Sequence, residues 1–353
     1  MKPKIFSTAA TMLIAAMITA GGLFVVPASA EDLVVISYGG TFEQGWRKAV
    51  INRFEEKYPK DKIHIATGLT MEVAAKMRAQ KDNVEIDVVM MDLPGTIQCE
   101  AEGLFEPLTE EKVPNLRNLL PLFKKRAKEH PYVHFFWDGE TLAYNTEKIK
   151  PPPTSWKVLF DPKYSGHIAF PDISTSHGVW MLNMAARIHG GNERNIDPGF
   201  EAIKKIRPHI GVFWTQHGQL QQLFAQGEVW LSLWCTNRLA PVKKEGVPVD
   251  WTIPEEGVYM VSSIIGIAKG TKHSDLASRY INFVLDAQTQ ALMTKYTYLA
   301  PVVKDAKVDP SMIKERMIPR PEELGKLLDL DWDTVNKERP KWTERWRREI
   351  AIQ

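Results

Sequence analysis

The chain has few cysteines, and their scarcity excludes one class of protein and argues against another. Cys99 and Cys235 are the two cysteines among 353 residues, so the chain is not a small disulfide-dense scaffold. Neither cysteine has the CxxC or histidine-rich spacing of a zinc site. An even count permits one disulfide, but we expect two buried thiols, no metal site and no cofactor.

The chain also lacks an excess of charge of one sign. It has 45 Lys and Arg against 43 Asp and Glu, a formal net charge of +2. Lys2 and Lys4 lie in the first thirty residues, and without them the charge is zero (2 − 2 = 0). The remaining basic residues are scattered. Because nucleic-acid binding needs a clustered positive surface, we expect no nucleic acid partner.

The sequence motifs of several common enzyme classes are missing. There is no GxSxG, HExxH, P-loop or GxGxxG. Hydroxyls stand beside a histidine in the stretch Ser174-Thr175-Ser176-His177, but a catalytic triad is recognised by its geometry in space and not by adjacency. We therefore expect a protein that is not an enzyme. A secreted hydrolase that uses residues 172–177 is the alternative of another class.

Long hydrophobic runs are confined to the N-terminus. Two lysines precede an apolar stretch over residues 9–26. The small residues Ala28-Ser29-Ala30 follow shortly after it. This is the pattern of a secretory signal peptide, and we expect cleavage near Ala30. An uncleaved membrane anchor is the alternative. The mature chain is then exported.

The rest of the chain alternates strands and helices. Strands are predicted at residues 33–37, 62–66 and 86–91, and an amphipathic helix at 41–58. This alternation predicts an α/β fold, and about 320 residues suffice for two lobes. The proline run at 150–154 suits a crossing between lobes, and the chain returns near 263–268. Two crossings predict a hinge and a cleft.

Polar and aromatic residues gather where the predicted strands end. In open α/β sheets, ligands bind beyond the carboxyl ends of the strands. The stretch SYGGTF begins at such an end, and its glycines let the backbone approach a ligand, although an ordinary strand–helix turn is equally compatible. The strand ends supply these candidate ligand-binding residues: Tyr38, Gly40, Thr41, Asp92, Asp172, Ser174, Ser176, Trp234 and Asn237.

Several longer stretches resemble one known family. They are LVVISYGGTFEQGWRKAVINRFEEKYP, EIDVVMMD before AEGLFEPL, PTSWKVLFDPKYSGHIAFPD, and FAQGEVWLSLWCTNRLAPVKKEGVPVDWTIPEEG. Together with ASRYINFVLDAQTQALMTKYTYLAPV, they cover most of the chain after the predicted signal peptide. In these stretches the chain is similar to the spermidine/putrescine-binding group of extracellular solute-binding proteins of ABC importers.

The resemblance implies a fold and a role. The fold would be the two-lobe periplasmic binding protein fold, type II-like, with residues 31–146 and 265–353 in lobe 1 and 147–264 in lobe 2. The protein would be a periplasmic monomer that captures a small molecule in the cleft and delivers it to an inner-membrane ABC permease. The residues that match the family's binding positions are Tyr38, Gly40, Thr41, Asp92, Trp137 followed by Asp138, Trp234 and Tyr298.

The chain departs from the polyamine-binding pattern at two acids. Asp172 is present, but Ser174 and Ser176 follow it in place of a second acid, and Ser262 stands where the family has another acid. An uncompensated cation in a closed cleft costs several kcal/mol. A polyamine-like amine remains the first expectation. Asp92, Asp138 and Glu140 would then supply the negative charge of the missing acids. The alternative is a zwitterionic or anionic solute held by helix N-termini, hydroxyls, Asn237, His177 or Arg238.

A third reading is a ferric-iron carrier. Tyr296 and Tyr298 are similar to the paired tyrosines of such proteins, but no acid or histidine pattern accompanies them. We expect one cleft tyrosine, Tyr298, and one packed residue.

Overall fold

The structure is a computed structural model that describes residues 32–68 and 70–351. The predicted signal peptide and its cleavage site at Ala30 lie outside those residues. Within the described ranges, no helix combines the length and the hydrophobicity that a bilayer crossing requires.

The described ranges contain thirteen strands. They are β1 (Asp32–Ser37), β2 (Lys62–Thr67), β3 (Val88–Asp92), β4 (Phe105–Glu106), β5 (Val133–His134), β6 (Asp138–Asn145), β7 (Ile168–Pro171), β8 (Ile210–Trp214), β9 (Leu231–Cys235), β10 (Val249–Thr252), β11 (Val258–Val261), β12 (Ser263–Ala268) and β13 (Leu327–Leu328).

The same ranges contain thirteen α-helices. They are α1 (Gly40–Trp46), α2 (Asn52–Lys57), α3 (Thr70–Ala79), α4 (Leu93–Ala101), α5 (Pro121–Glu129), α6 (Ser176–Ile188), α7 (Asp197–Ile206), α8 (His217–Ala225), α9 (Thr236–Lys244), α10 (Ser274–Val284), α11 (Ala287–Thr297), α12 (Pro310–Lys314) and α13 (Trp332–Glu349). A π-helical segment, Arg47–Ile51, joins α1 to α2.

The first lobe is built on a sheet with the strand order β2-β1-β3-β12-β4, and β5 also pairs with β12. Strands β1 and β3 are parallel, so their carboxyl ends share one edge of the sheet. Strand β12 is antiparallel to β3 and places Ser263 opposite Asp92. The register therefore brings the end of β1, the end of β3 and the start of β12 together.

The second lobe is built on a sheet with the order β13-β11-β6-β9-β7-β8, and β10 also pairs with β6. Strand β6 runs antiparallel to β9, with Glu140 opposite Cys235, while β7 and β9 are parallel. The start of β6 therefore lies beside the end of β9. Helices α6 and α9 follow β7 and β9 at this edge.

Each sheet packs against a hydrophobic core of its own. Large buried side chains of the first core include Trp46, Phe54 and Tyr280, and those of the second include Trp156 and Phe170. The two-lobed α/β fold predicted from the sequence is confirmed.

Within the described ranges the chain passes between the sheets three times: between β5 and β6, between β11 and β12, and again before β13. The first two of these segments are neighbours. The backbone N–H of Phe135 donates to the carbonyl of Ser263 at 3.3 Å. The Ser262 hydroxyl donates to the carbonyl of Phe136 at 2.6 Å. The two crossings thus run side by side.

Sheet membership differs from the predicted lobe boundaries in three places. Strand β6 was expected in lobe 1, but it pairs with β9 in the second sheet. Helix α13 was also expected in lobe 1, but Trp342 and Trp346 lie in the second core. The proline run at 150–154 does not cross between lobes, because Thr252 and Glu255 of the second lobe donate hydrogen bonds to carbonyls of Pro153 and Thr154.

A proline inside a helix usually breaks or kinks it, but α13 continues through Pro340. The proline removes one backbone donor, and its ring lies on the exposed face. Trp332, Val335, Trp342 and Trp346 are buried on the opposite side. Their burial compensates for the lost hydrogen bond.

Candidate functional site

A cavity of about 290 Å³ lies where the facing edges of the two sheets meet. This is at the small end of the range for small-molecule sites, roughly 300–1,000 Å³. Both lobes and both crossings contribute to its walls: Tyr38, Gly39, Phe42, Asp92, Leu93, Pro94, Ser263 and Leu299 from the first lobe, Phe136, Met260, Val261 and Ser262 near the crossings, and Ser176, His177, Trp180, His217, Cys235, Asn237, Arg238 and Trp332 from the second lobe.

The first-lobe wall carries an accessible carboxylate. The Tyr38 hydroxyl donates to Asp92 Oδ1 at 2.7 Å, and the Ser263 hydroxyl donates to the same oxygen at 2.7 Å. Within the described residues, no hydrogen bond reaches Oδ2 of this exposed side chain. Burial and the neighbouring Asp92 charge raise the pKa of Tyr38 well above its usual value, so the phenol stays a donor. Asp92 can therefore accept a ligand ammonium group.

The crossings contribute a fixed hydroxyl. Ser262 donates to the Phe136 carbonyl, and its oxygen lies 2.7 Å from Nδ1 of His134. Burial and the nearby Arg126 guanidinium hold the pKa of His134 well below its usual value. The neutral His134 ring must then donate from Nδ1 to Ser262, which fixes this hydroxyl at the cavity wall.

The second-lobe wall is formed by the first turns of α6 and α9. Thr175 caps α6 by accepting from the N–H of Gly178 at 3.0 Å, and Ser176 and His177 follow it. Asn237 and Arg238 lie in the first turn of α9. Arg238 is exposed, and within the described residues no hydrogen bond or ion pair engages its guanidinium. Thr175 and Asp138 each accept from one N–H group of these helix starts; the remaining first-turn N–H groups and the Arg238 guanidinium favour an anionic group here.

His217 stands beside these helix starts as a neutral ring. The indole of Trp234 donates to His217 Nδ1 at 3.0 Å. Burial, together with the neighbouring groups His177 and Arg238, lowers the pKa of His217 to about 3. Nδ1 is the acceptor, so the ring proton is on Nε2.

Two acids of β6 are buried behind the second-lobe wall. Asp138 accepts from the backbone N–H groups of Gly139 and Asn237 at 2.7 and 2.8 Å and from the Thr236 hydroxyl. Burial raises the pKa of Asp138 to about 7, although these donors oppose the shift. Glu140 is fully buried, and its Oε1 lies 2.8 Å from His177 Nδ1.

Five of the predicted site residues line the cavity: Tyr38, Asp92, Ser176, Asn237 and Ser262. Asp138 is buried one layer behind the wall. Gly39 lines the cavity in place of Gly40, which starts α1 with a φ of +68° in the left-handed region that glycine tolerates. The side chain of Thr41 lies outside the described part.

The three predicted aromatic anchors do not line the cavity. Trp234 is a core residue that stacks on Phe224 with ring centroids 5.8 Å apart. Trp137 donates to the Pro301 carbonyl at 3.1 Å and borders a different pocket. Tyr298 ends α11 with a φ of 58°. These residues point into packed regions instead.

Asp172 and Ser174 also do not line the cavity, because residues of the C-terminal helix α13 form hydrogen bonds with them. The Trp346 indole donates to Asp172 Oδ2 at 3.2 Å, and Arg339 donates to the Ser174 carbonyl at 3.3 Å. Local sequence gave no sign that α13 packs over this segment.

Several wall residues were not among the predicted set: Phe42, Phe136, Trp180, His217 and Trp332. His177 and Arg238, which also line the wall, were named for the zwitterionic or anionic alternative alone. His177 and Arg238 each follow a predicted site residue by one position in the first turn of a helix. Their neighbours Ser176 and Asn237 were predicted because they come soon after the ends of strands. Trp332 comes from the distant C-terminal helix and had no such signal.

The described residues contain no group of three or more His, Cys, Asp or Glu that could hold a metal ion. Tyr296 and Tyr298 are both absent from the cavity wall, which removes the tyrosine pair from any iron site there. Cys99 and Cys235 are buried and not bonded to each other, as predicted. Burial raises the pKa of Cys99 to about 11.

Comparisons with known proteins agree with this architecture. Residues 49–318 match the family described as bacterial extracellular solute-binding protein. The putrescine-binding periplasmic protein PotF of Escherichia coli (strain K12) is 25% identical over 228 residues, which span 58% of this chain and 61% of that protein. The gamma-aminobutyric acid-binding protein of Pseudomonas aeruginosa is 24% identical over 313 residues, or 84% of each chain.

Among solved structures, an ABC transporter protein from Clostridium perfringens ATCC 13124 superposes with a TM-score of 0.78 at 23% identity. The match covers 90% of this chain and 99% of that one. This likeness shows the fold.

Proposed function

Because the chain belongs to the bacterial extracellular solute-binding protein family, we propose that it captures a small zwitterionic amine between its lobes and delivers it to an ABC permease. The ligand would carry one ammonium group and one anionic group, as an ω-amino acid does. A periplasmic location agrees with the relatives' names and with the predicted signal peptide.

The observation that carries the proposal is the opposite charge of the two walls. Asp92 is an accessible carboxylate on the first lobe. Arg238 is an exposed guanidinium on the second, beside the helix starts at Ser176 and Asn237. A ligand with one charge of each sign satisfies both walls when the lobes close.

The middle of the cavity is apolar. Phe42 and Phe136 belong to one side and Trp180 and Trp332 to the other. These rings suit the methylene chain that separates the two charges of such a ligand. The name of the Pseudomonas aeruginosa relative points to a solute of this chemical class.

A linear polyamine, the first expectation from the sequence, is the second candidate. The name of the Escherichia coli relative supports it, and so do the two acids Asp138 and Glu140 close to the second-lobe wall. Against it, both acids are fully buried, and Arg238 would face a second ammonium group. Repulsion at that wall makes the zwitterion the better fit.

A hydrolase on residues 172–177 is disfavoured. Within the described residues, no hydrogen bond joins a hydroxyl of this segment to His177, whose Nδ1 is turned to Glu140. A nucleophile and its base should lie within hydrogen-bond reach. Members of this family are named as binding proteins.

The test is a ligand screen by thermal shift and calorimetry. We expect γ-aminobutyrate to raise the melting temperature, because a ligand at about 100 times its Kd stabilises the folded state by about 2.7 kcal/mol. Butyrate and propylamine, which each lack one of its charges, should bind much more weakly. Mass spectrometry should recover the ligand unchanged.

Putrescine and spermidine are included in the same screen. Tighter binding of either polyamine than of every zwitterion tested would contradict the proposed ligand class in favour of the second candidate. Chemical turnover of any compound would contradict a pure binding role.

A further inference from the structure

Glu140 is a buried acid that lacks the hydrogen bonds such a group requires. Its side chain is fully buried, and neither carboxylate oxygen has a hydrogen-bond partner in the described part of the chain. An isolated buried carboxylate is costly unless a counter-charge lies next to it. Asp138, two residues earlier on β6, instead accepts from two backbone N–H groups and a hydroxyl.

In the described part of the chain, the one ion-pair partner of Glu140 is His177 of α6. Nδ1 of the ring lies 2.8 Å from Glu140 Oε1. The ring is turned so that this contact does not meet the geometry of a hydrogen bond, and the pair is an ion pair by distance alone. Nδ1 is buried next to Glu140, while the His177 side chain as a whole lines the cavity.

We propose that Glu140 is a positioning residue that holds His177 as an imidazolium, so that Nε2–H of His177 binds the anionic end of the ligand. The pair makes His177 a second cation beside Arg238 and thereby selects for anionic groups at this wall. This inference rests on the proposed zwitterionic ligand, but the protonation of His177 does not depend on the ligand's identity.

The other groups around the pair are compatible with this role. From α8, His217 is 4.8 Å from His177 between ring centroids and is neutral, because its pKa is about 3. From β9, Cys235 is a thiol whose pKa is raised well above its usual value by burial and by the two acids. Asp138 lies on β6, and Arg238 lies in the first turn of α9. Trp180 packs edge-on at 5.5 Å.

The first test reads the protonation of His177 directly in the mature chain without ligand. Nitrogen chemical shifts of the histidine rings are measured between pH 5 and 9, and His177 is assigned from the signals lost in His177→Gln. We expect both ring nitrogens to carry protons at pH 7 in the wild type and one of them in Glu140→Gln. Asp172→Asn, which changes an acid of the same lobe away from the cavity, should leave the His177 signals unchanged.

A neutral His177 at pH 7 in the wild type would overturn the proposal, and this measurement uses the His177→Gln variant for signal assignment alone. An imidazolium that persists in Glu140→Gln would overturn it as well, because another group would then supply the charge.

The second test is a double-mutant cycle on ligand affinity. At pH 7 we expect Glu140→Gln to weaken binding of γ-aminobutyrate about tenfold, since a charge-assisted hydrogen bond is about twice as strong as a neutral one. In the His177→Gln background the same change should have little further effect. A tenfold loss in both backgrounds would show that Glu140 does not act through His177.

The two tests separate this inference from the proposed function. If no zwitterion binds the wild type, the proposed ligand class fails, while the ring signals still decide whether Glu140 charges His177.

Discussion

Replacing His217 by glutamine should reduce the amount by which the free energy of unfolding falls at acidic pH. The native ring has a pKa of about 3, lowered from 6.5 mainly by burial, and its Nδ1 accepts from the Trp234 indole. Between these two values the folded chain binds fewer protons than the unfolded chain, so stability falls as the pH is lowered from 6.5 toward 3. From pH 7.5 to pH 5 this linkage amounts to about 2 kcal/mol.

The measurement is urea unfolding of the wild type and His217→Gln at both pH values. Glutamine keeps an acceptor for the Trp234 indole but does not titrate. We expect the wild type to lose about 2 kcal/mol more than the variant on acidification, while groups common to both proteins cancel in the comparison. Equal losses in the two proteins would refute the assignment of His217 as a buried neutral ring.

Three further outcomes test the site and its support. Asp92→Asn keeps the oxygen that accepts from Tyr38 and Ser263 but loses the charge; calorimetry should show roughly a 10- to 100-fold weaker Kd for γ-aminobutyrate. The affinity for butyrate should not change, and an equal loss for both ligands would place the ammonium group elsewhere. Asp138→Asn should remove a pH dependence of opposite sign, because the raised pKa of about 7 stabilises the folded state at low pH. In urea unfolding the wild type should lose about 3 kcal/mol more than this variant from pH 5 to pH 8, and parallel curves would contradict the raised pKa. Trp234→Ala should lower the free energy of unfolding by about 3–5 kcal/mol, as for a fully buried tryptophan; a variant as stable as the wild type would be incompatible with its place in the core.

The sequence predicted those parts of the site that follow directly from strand ends. Tyr38 and Asp92 come at the ends of parallel neighbours in one sheet, so their position at the same edge is dictated by the topology. Ser176 and Asn237 start helices that follow strands β7 and β9. For such residues the order of strands and helices along the chain is enough to predict their position at the site.

The sequence did not indicate the direction of individual side chains. Trp234 and Cys235 are consecutive in β9, and adjacent side chains in a strand point to opposite faces. Cys235 lines the cavity, whereas the ring of Trp234 stacks on Phe224. Which of two adjacent residues faces the ligand depends on which face of the sheet packs against the core, and the local pattern does not reveal this.

The role of the C-terminal helix could not be predicted from local pattern at all. Its spacing of tryptophans indicates a buried face but not which sheet that face covers. Contacts of α13 with Asp172 and Ser174 hold this segment away from the cavity, and Trp332 enters the wall. These contacts span more than 150 residues of sequence.

The packing of α13 against the second lobe has a consequence for how the protein folds. The second core is completed by Trp342, Trp346 and Ile350, and the carbonyl of Ile350 accepts from Arg207 at 2.9 Å. The second lobe therefore cannot finish folding until Ile350 has been made. A nascent chain or a truncation ending before residue 332 leaves that apolar surface open to solvent and to aggregation.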